Sequence, residues 1–138
     1  MTLAPTVLII ADRAGPEVAH LDALGIRSWI SADSAEALGY LSRTRPPLIF
    51  IDMDLPGCSA ARTAAIAASL HSSAAIILTT NDHDSVQQAR QTPPEGVLAV
   101  VGKPLSPALV RVLAEMAFGR VCRAPRHQNI PSKMKEAS

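Results

Sequence analysis

Leu48-Ile49-Phe50-Ile51-Asp52-Met53-Asp54-Leu55-Pro56-Gly57 is the stretch that decides the fold. Four consecutive apolar residues run into a carboxylate, and Pro56-Gly57 then marks a loop. An apolar run without alternation suits a strand buried on both faces of a sheet; a strand with one wet face would alternate. Pro46-Pro47 breaks the chain just before it.

Working outward, Val7-Leu-Ile-Ile-Ala11 is a second such run and stops at Asp12. Ala74-Ala-Ile-Ile-Leu78 is a third and ends on Thr79-Thr80. Val97 to Val101 is a fourth, ending before Lys103. Ile26 to Ser31 alternates and reads as a less buried strand. Helical patterns fill the gaps. Gly15-Pro16 opens one, with Val18, Leu21 and Leu24 on a face and Gly25 as its stop. Asp33-Ser-Ala-Glu36 has capping-box spacing and starts a helix to about Ser42. Residues 59–70 are Ala-rich, with Ile66 and Leu70 four apart. A polar helix spans Asp82 to Arg90, and a loop, Thr92 to Gly96, follows. Ser106-Pro107 is a cap with proline in the first turn, and Leu109, Val112, Leu113 and Met116 make one face. After Gly119 the pattern collapses.

Five strands alternating with five helices imply an α/β, doubly wound parallel sheet with helices on both faces. Ligands of such sheets sit outside the carboxyl ends of the strands. Four of the five strand ends carry polar groups: Asp12, then Asp52 with Asp54, then Thr79, then Lys103. Clustered carboxylates are hard oxygen ligands that favour Mg²⁺ or Mn²⁺. An Asp carboxylate is also a nucleophile that forms an acyl phosphate. A lysine ammonium and a threonine hydroxyl would stabilise the oxygens of a transferring phosphoryl group.

Composition narrows the function classes. The 138 residues suffice for one domain, and 48% are hydrophobic, which excludes wholesale disorder. With 13 basic and 12 acidic residues, the chain lacks the strong positive charge of a dedicated nucleic-acid binder. The longest apolar runs fall far short of the roughly 20 residues of a membrane helix. The N-terminal residues do not read as a signal peptide, so the expectation is a cytoplasmic protein with reduced Cys58 and Cys122. Residues 119–138 carry a net charge of +4 and residues 1–118 a net charge of −3. The expected organisation is a domain over 1–118 and a basic, flexible tail over 119–138.

These residues resemble a family. Leu48 to Gly57 looks like the third-strand motif of bacterial two-component response-regulator receiver domains. In those, the strand ends on a phosphoacceptor Asp, with Leu-Pro or Met-Pro three and four residues on. Ile76-Ile-Leu-Thr79 resembles the family's fourth strand and switch hydroxyl, Gly102-Lys103-Pro104 its Lys-Pro pair, and Val7 to Asp12 its first strand and acidic pair. The resemblance covers about residues 5–118. It implies a flavodoxin-like (βα)5 fold with strand order 2-1-3-4-5. It implies that Asp52 accepts a phosphoryl group from a sensor histidine kinase or phosphotransfer protein, without the chain being an enzyme in its own right. Mg²⁺ would be held by the carboxylates of Asp12 and Asp52 and the main-chain carbonyl of Asp54. Lys103 would pair with the phosphoryl group. Thr79 would hydrogen-bond it and couple the chemistry to a surface of fourth helix, fifth strand and fifth helix. A downstream protein would read that surface. A homodimer through it stays open, and neither nucleic acid nor membrane is an expected direct partner.

Two positions depart from the family pattern. Ala11 stands where the acidic pair has its first member, and Val100 where an aromatic switch residue is usual. They motivate an alternative: a pseudo-receiver that binds a partner without phosphorylation. A further alternative is a haloacid-dehalogenase-type phosphatase, from the Asp52-Met-Asp54 spacing. Against it, that motif lies in the third strand, no acidic pair follows Lys103, and the chain is short.

Overall fold

Apolar runs with no polar edge to offer must be covered on both sides, and the ten elements do this in strict alternation. The computed structural model describes residues 6–57 and 59–122, of which 120–122 are described as backbone. The order is β1 (Thr6–Ile10), α1 (Pro16–Ala23), β2 (Arg27–Ser31), α2 (Ser34–Leu41), β3 (Leu48–Asp52), α3 (Ala60–Leu70), β4 (Ala75–Thr80), α4 (His83–Gln91), β5 (Ala99–Gly102) and α5 (Pro107–Cys122). The five strands form one parallel sheet in the order β2-β1-β3-β4-β5, as expected.

Two cores flank the sheet. One contains Val7, Ile9, Leu48, Phe50 and Ile77 from the strands, packed on Leu21 of α1 and on Leu105, Val110, Leu113, Ala114 and Phe118 in and before α5. The other contains Leu8, Ile10, Ile49, Ile51, Ile76 and Leu78, packed on Ala37 and Leu41 of α2 and on Ala60, Ala64 and Ala67 of α3. Side chains alternate across a strand, so consecutive apolar residues feed both cores at once.

Local chemistry sets the helix starts. Asp33 caps α2, its Oδ1 accepting from the N–H of Ala35 at 2.9 Å. The expected capping box is rerouted: Glu36 Oε1 lies 2.6 Å from Ser31 Oγ, and Ser31 Oγ accepts from the N–H of Asp33. Ser59, Asp82 and Ser106 cap α3, α4 and α5, accepting from the N–H groups of Arg62, Asp84 and Leu109. Trp29 stacks on Tyr40 with ring centroids 4.3 Å apart.

Three helix faces differ from expectation. In α1, Leu24 is exposed while the charged Glu17 is buried. In α3, Ile66 and Leu70 are exposed and the small side chains face the sheet. In α5, Val112 and Met116 are exposed, and Val110, Leu113, Ala114 and Phe118 make the buried stripe. The last helix also continues through Cys122 instead of ending near Gly119. β4 takes in Thr79 and Thr80, and β5 begins at Ala99 instead of Val97. Cys58 and the basic residues from 123 onward lie outside the described residues. No helix among the described residues is long and apolar enough to cross a membrane.

Candidate functional site

Strand alternation determines which strand-end residues meet. Counting in twos from Val7, Leu48, Ala75 and Ala99 puts Ala11, Asp52, Thr79 and Lys103 on the sheet face covered by α1 and α5. Their predecessors Ile9, Phe50, Ile77 and Val101 all belong to the core on that face. Asp52 and Thr79 stand directly opposite each other in the β3–β4 register. Above this row lies a cavity of about 450 Å³, lined by Ala11, Asp12, Asp52, Thr79 and Lys103 and also by Arg13, Glu17 and Asn81.

Asp52 is the centre of the cluster. Its side chain is 12% exposed, and Oδ1 accepts from Lys103 Nζ at 3.0 Å and from the N–H of Asp54 at 2.8 Å. Among the described residues no donor to Oδ2 is found, so its lone pairs are available to an electrophile or a cation. Lys103 Nζ also lies 3.1 Å from Asp54 Oδ2. Burial lowers the Lys103 pKa, but the hydrogen bonds and charges of Asp52 and Asp54 outweigh it and hold the ammonium above its ordinary value.

Asp54 turns away from the cavity. Thr80 Oγ1 donates to its Oδ1 at 2.9 Å and the N–H of Asn81 to its Oδ2 at 2.8 Å. Burial raises its pKa, yet the Asn81 N–H, Lys103 and Thr80 together outweigh this and hold the carboxyl below its ordinary value. Thr80 Oγ1 in turn accepts from the N–H of Asp82, which begins α4. The β3–α3 loop is thereby tied to the β4–α4 junction.

Thr79 and Asp12 line the same cavity. Thr79 is 4% exposed and reaches the cavity wall. Asp12 is half exposed beside Arg13, whose Nε lies 3.8 Å from its carboxylate. Among the described residues no three His, Cys, Asp or Glu side chains gather closely enough to form a metal cluster on their own. Asp12 and Asp52 still fit Mg²⁺, which uses one or two carboxylates and keeps several waters, and the cavity has room for them. Sequence reasoning missed Glu17, Thr80 and Asn81. The Thr79-Thr80 pair held the signal for Thr80, since adjacent strand residues serve opposite faces.

No family model and no curated protein matches the sequence. Solved structures match the fold. A CheY-like response regulator receiver domain protein from Methanospirillum hungatei matches with a TM-score of 0.69 at 19% identity, over 86% of this chain and 97% of its own. A response regulator from Burkholderia pseudomallei, solved with a phosphorylated aspartic acid and a calcium ion, matches with a TM-score of 0.67 at 19% identity, over 96% and 81%. The receiver domain of a sensor histidine kinase from Pseudomonas aeruginosa, solved with magnesium coordinated in its active-site cleft, matches with a TM-score of 0.67 at 21% identity, over 85% and 99%. This chain has the receiver fold. On that receiver fold the cavity lies outside the carboxyl ends of β1, β3, β4 and β5, where open α/β sheets bind their ligands. Val100 of this receiver fold packs against the α2/α3-side core beside Leu78.

Proposed function

We propose that the chain is a phosphoacceptor receiver in a phosphorelay, with Asp52 as the acceptor. The observation that carries this reading is the 3.0 Å pairing of Lys103 Nζ with Asp52 Oδ1 on a shared cavity wall with Thr79. An Asp52 oxygen attacks the phosphorus of a phosphohistidine from a sensor kinase or phosphotransfer protein. The new P–O bond forms as the P–N bond breaks, and the imidazole nitrogen takes the electron pair and then a proton. Lys103 neutralises the transferred oxygens, and the Thr79 hydroxyl donates to one of them. Asp12, Asp52 and the Asp54 carbonyl would hold Mg²⁺, which would supply further charge neutralisation. The chain assists only its own phosphorylation and dephosphorylation. The modified state is read by a downstream protein on the α4-β5-α5 face.

The test is intact mass after incubation with acetyl phosphate and Mg²⁺, beside Asp52→Asn. One added phosphoryl group on the wild type alone is the expected result. An unchanged mass in folded wild type, with a phosphohistidine donor also tried, overturns the reading. A second reading, a phosphorylation-independent binding module, is favoured by the hold of Asp54 on Lys103 and Thr80. That internal carboxylate already occupies the lysine an incoming phosphoryl group would need.

A further inference from the structure

Glu17 is the one charged side chain among the described residues that is buried. It is 7% exposed, sits in the first turn of α1 and lines the cavity with Asp12, Asp52 and Lys103. The sheet's own alternation puts Ala11, a methyl, at the β1 end of that same wall. We infer that Glu17 is the cavity's second acidic residue on the β1–α1 side and accepts a hydrogen bond from a water of a hydrated divalent cation, in place of the carboxylate that Ala11 lacks. The inference rests on the proposed reading of the cavity as a Mg²⁺-dependent phosphoacceptor site.

Three observations support it. The first is the lack of a partner. Among the described residues no hydrogen bond or ion pair reaches the Glu17 carboxylate, although a buried anion needs one. The cations lining the cavity are otherwise engaged: Lys103 Nζ is held by Asp52 and Asp54, and the Arg13 side chain is 84% exposed beside Asp12. The positive end of α1 offsets part of the charge, and a bound cation would offset the rest.

The second is the backbone cradle. A Cβ added to Gly15 would lie 2.6 Å from Glu17 Oε1 and 3.0 Å from Oε2, so the carboxylate packs directly over Gly15, and a side chain there would push it aside. The chain turns from Asp12 into α1 around this contact, which keeps the carboxylate at the cavity wall.

The third is spacing. No three carboxylates of the described residues close on one point, so Glu17 is not a direct ligand alongside Asp12 and Asp52. A water-mediated role suits Mg²⁺, which dehydrates reluctantly and keeps much of its water shell. The cavity of about 450 Å³ holds many times the roughly 30 Å³ share of a single water. Partners of this outer kind typically change metal affinity by about 10–100-fold when removed.

The experiment is calorimetric titration of the full chain with Mg²⁺, repeated with Mn²⁺, for the wild type, Asp52→Asn, Glu17→Gln, and Glu17→Gln combined with Ala11→Asp. Glu17→Gln keeps the volume and is expected to weaken Mg²⁺ binding by about tenfold. Ala11→Asp is expected to restore it. Gly15→Ala, which displaces the carboxylate while leaving Glu17 intact, is expected to weaken binding as well and serves if Glu17→Gln does not fold. An unchanged Kd in Glu17→Gln, with binding still lost in Asp52→Asn, overturns the inference alone. A folded wild type that takes up no Mg²⁺ overturns both the inference and the reading it rests on.

Discussion

Lys103 serves two carboxylates, and each controls something different. Its bond to Asp52 faces the cavity; its bond to Asp54 faces the Thr80-Asn81 junction. Asp54 has its pKa held below the ordinary value, so its contribution to stability is present above about pH 4 and is lost as pH falls through the lower folded value. Lys103 has its pKa raised, so its share is complete below the ordinary lysine value and is lost only as pH rises through the higher folded one. Asp54→Asn should therefore lower stability by about 1 kcal/mol at neutral pH, a modest figure because the pair is partly solvated. Thermal melts of the two proteins should differ by a constant amount from pH 6 to 9, in line with the roughly flat region between the two titrations, and converge below about pH 4. A gap that widens on acidification would contradict the assignment. Asp52 and Lys103 were legible in the sequence because a polar residue ending an apolar strand is conspicuous. The direction of Asp54 was not legible, since it depends on a hydroxyl and an N–H that another strand brings.

At the scale of elements, α4 stands apart. None of its residues is buried, whereas α3 buries Ala60, Thr63, Ala64 and Ala67. Helices in proteins draw most of their stability from an apolar face, so α4 depends unusually on its cap. Asp82 Oδ1 accepts from the N–H of Asp84, and Asp82 Oδ2 accepts from Ser85 Oγ. Asp82→Ala should cost about 1 kcal/mol and speed amide exchange across α4 while leaving α3 unchanged. Equal acceleration in both helices would show that α4 is anchored by more than its cap. The sequence marked this helix as polar and bounded it within a residue at each end. It misled at α5, where Val112 and Met116 carry the same spacing as the residues that pack. Periodicity finds an apolar stripe; which stripe turns inward depends on what lies opposite, here α1 and β3.

For the whole molecule, the sheet has two filled sides and each strand residue belongs to one of them. Leu8 is fully buried on the α2/α3 side, and β1, which carries it, lies between β2 and β3. Leu8→Ala should destabilise by about 2–5 kcal/mol, read as a lower denaturant midpoint with an unchanged slope. The folded fraction should still take up a phosphoryl group at Asp52, because the cavity lies on the opposite face. Loss of labelling in protein that remains folded would show that the two faces are coupled.

The sequence by itself determined the five strands, their parallel pairing and the polar groups at their ends. Parallel strands are apolar on both faces, so any charge at an end stands out. That Ala11, Asp52, Thr79 and Lys103 share a face follows from the period of two only once the strand pairing and the two cores are known. Only the tertiary structure decided that Asp54 turns to Thr80 and Asn81, and that Glu17 is buried at the cavity. The first outcome depends on contacts from Thr80 and Asn81, whose separation from Asp54 along the chain carries no periodic trace, and the second on how the turn at Gly15 seats Glu17 against the cavity.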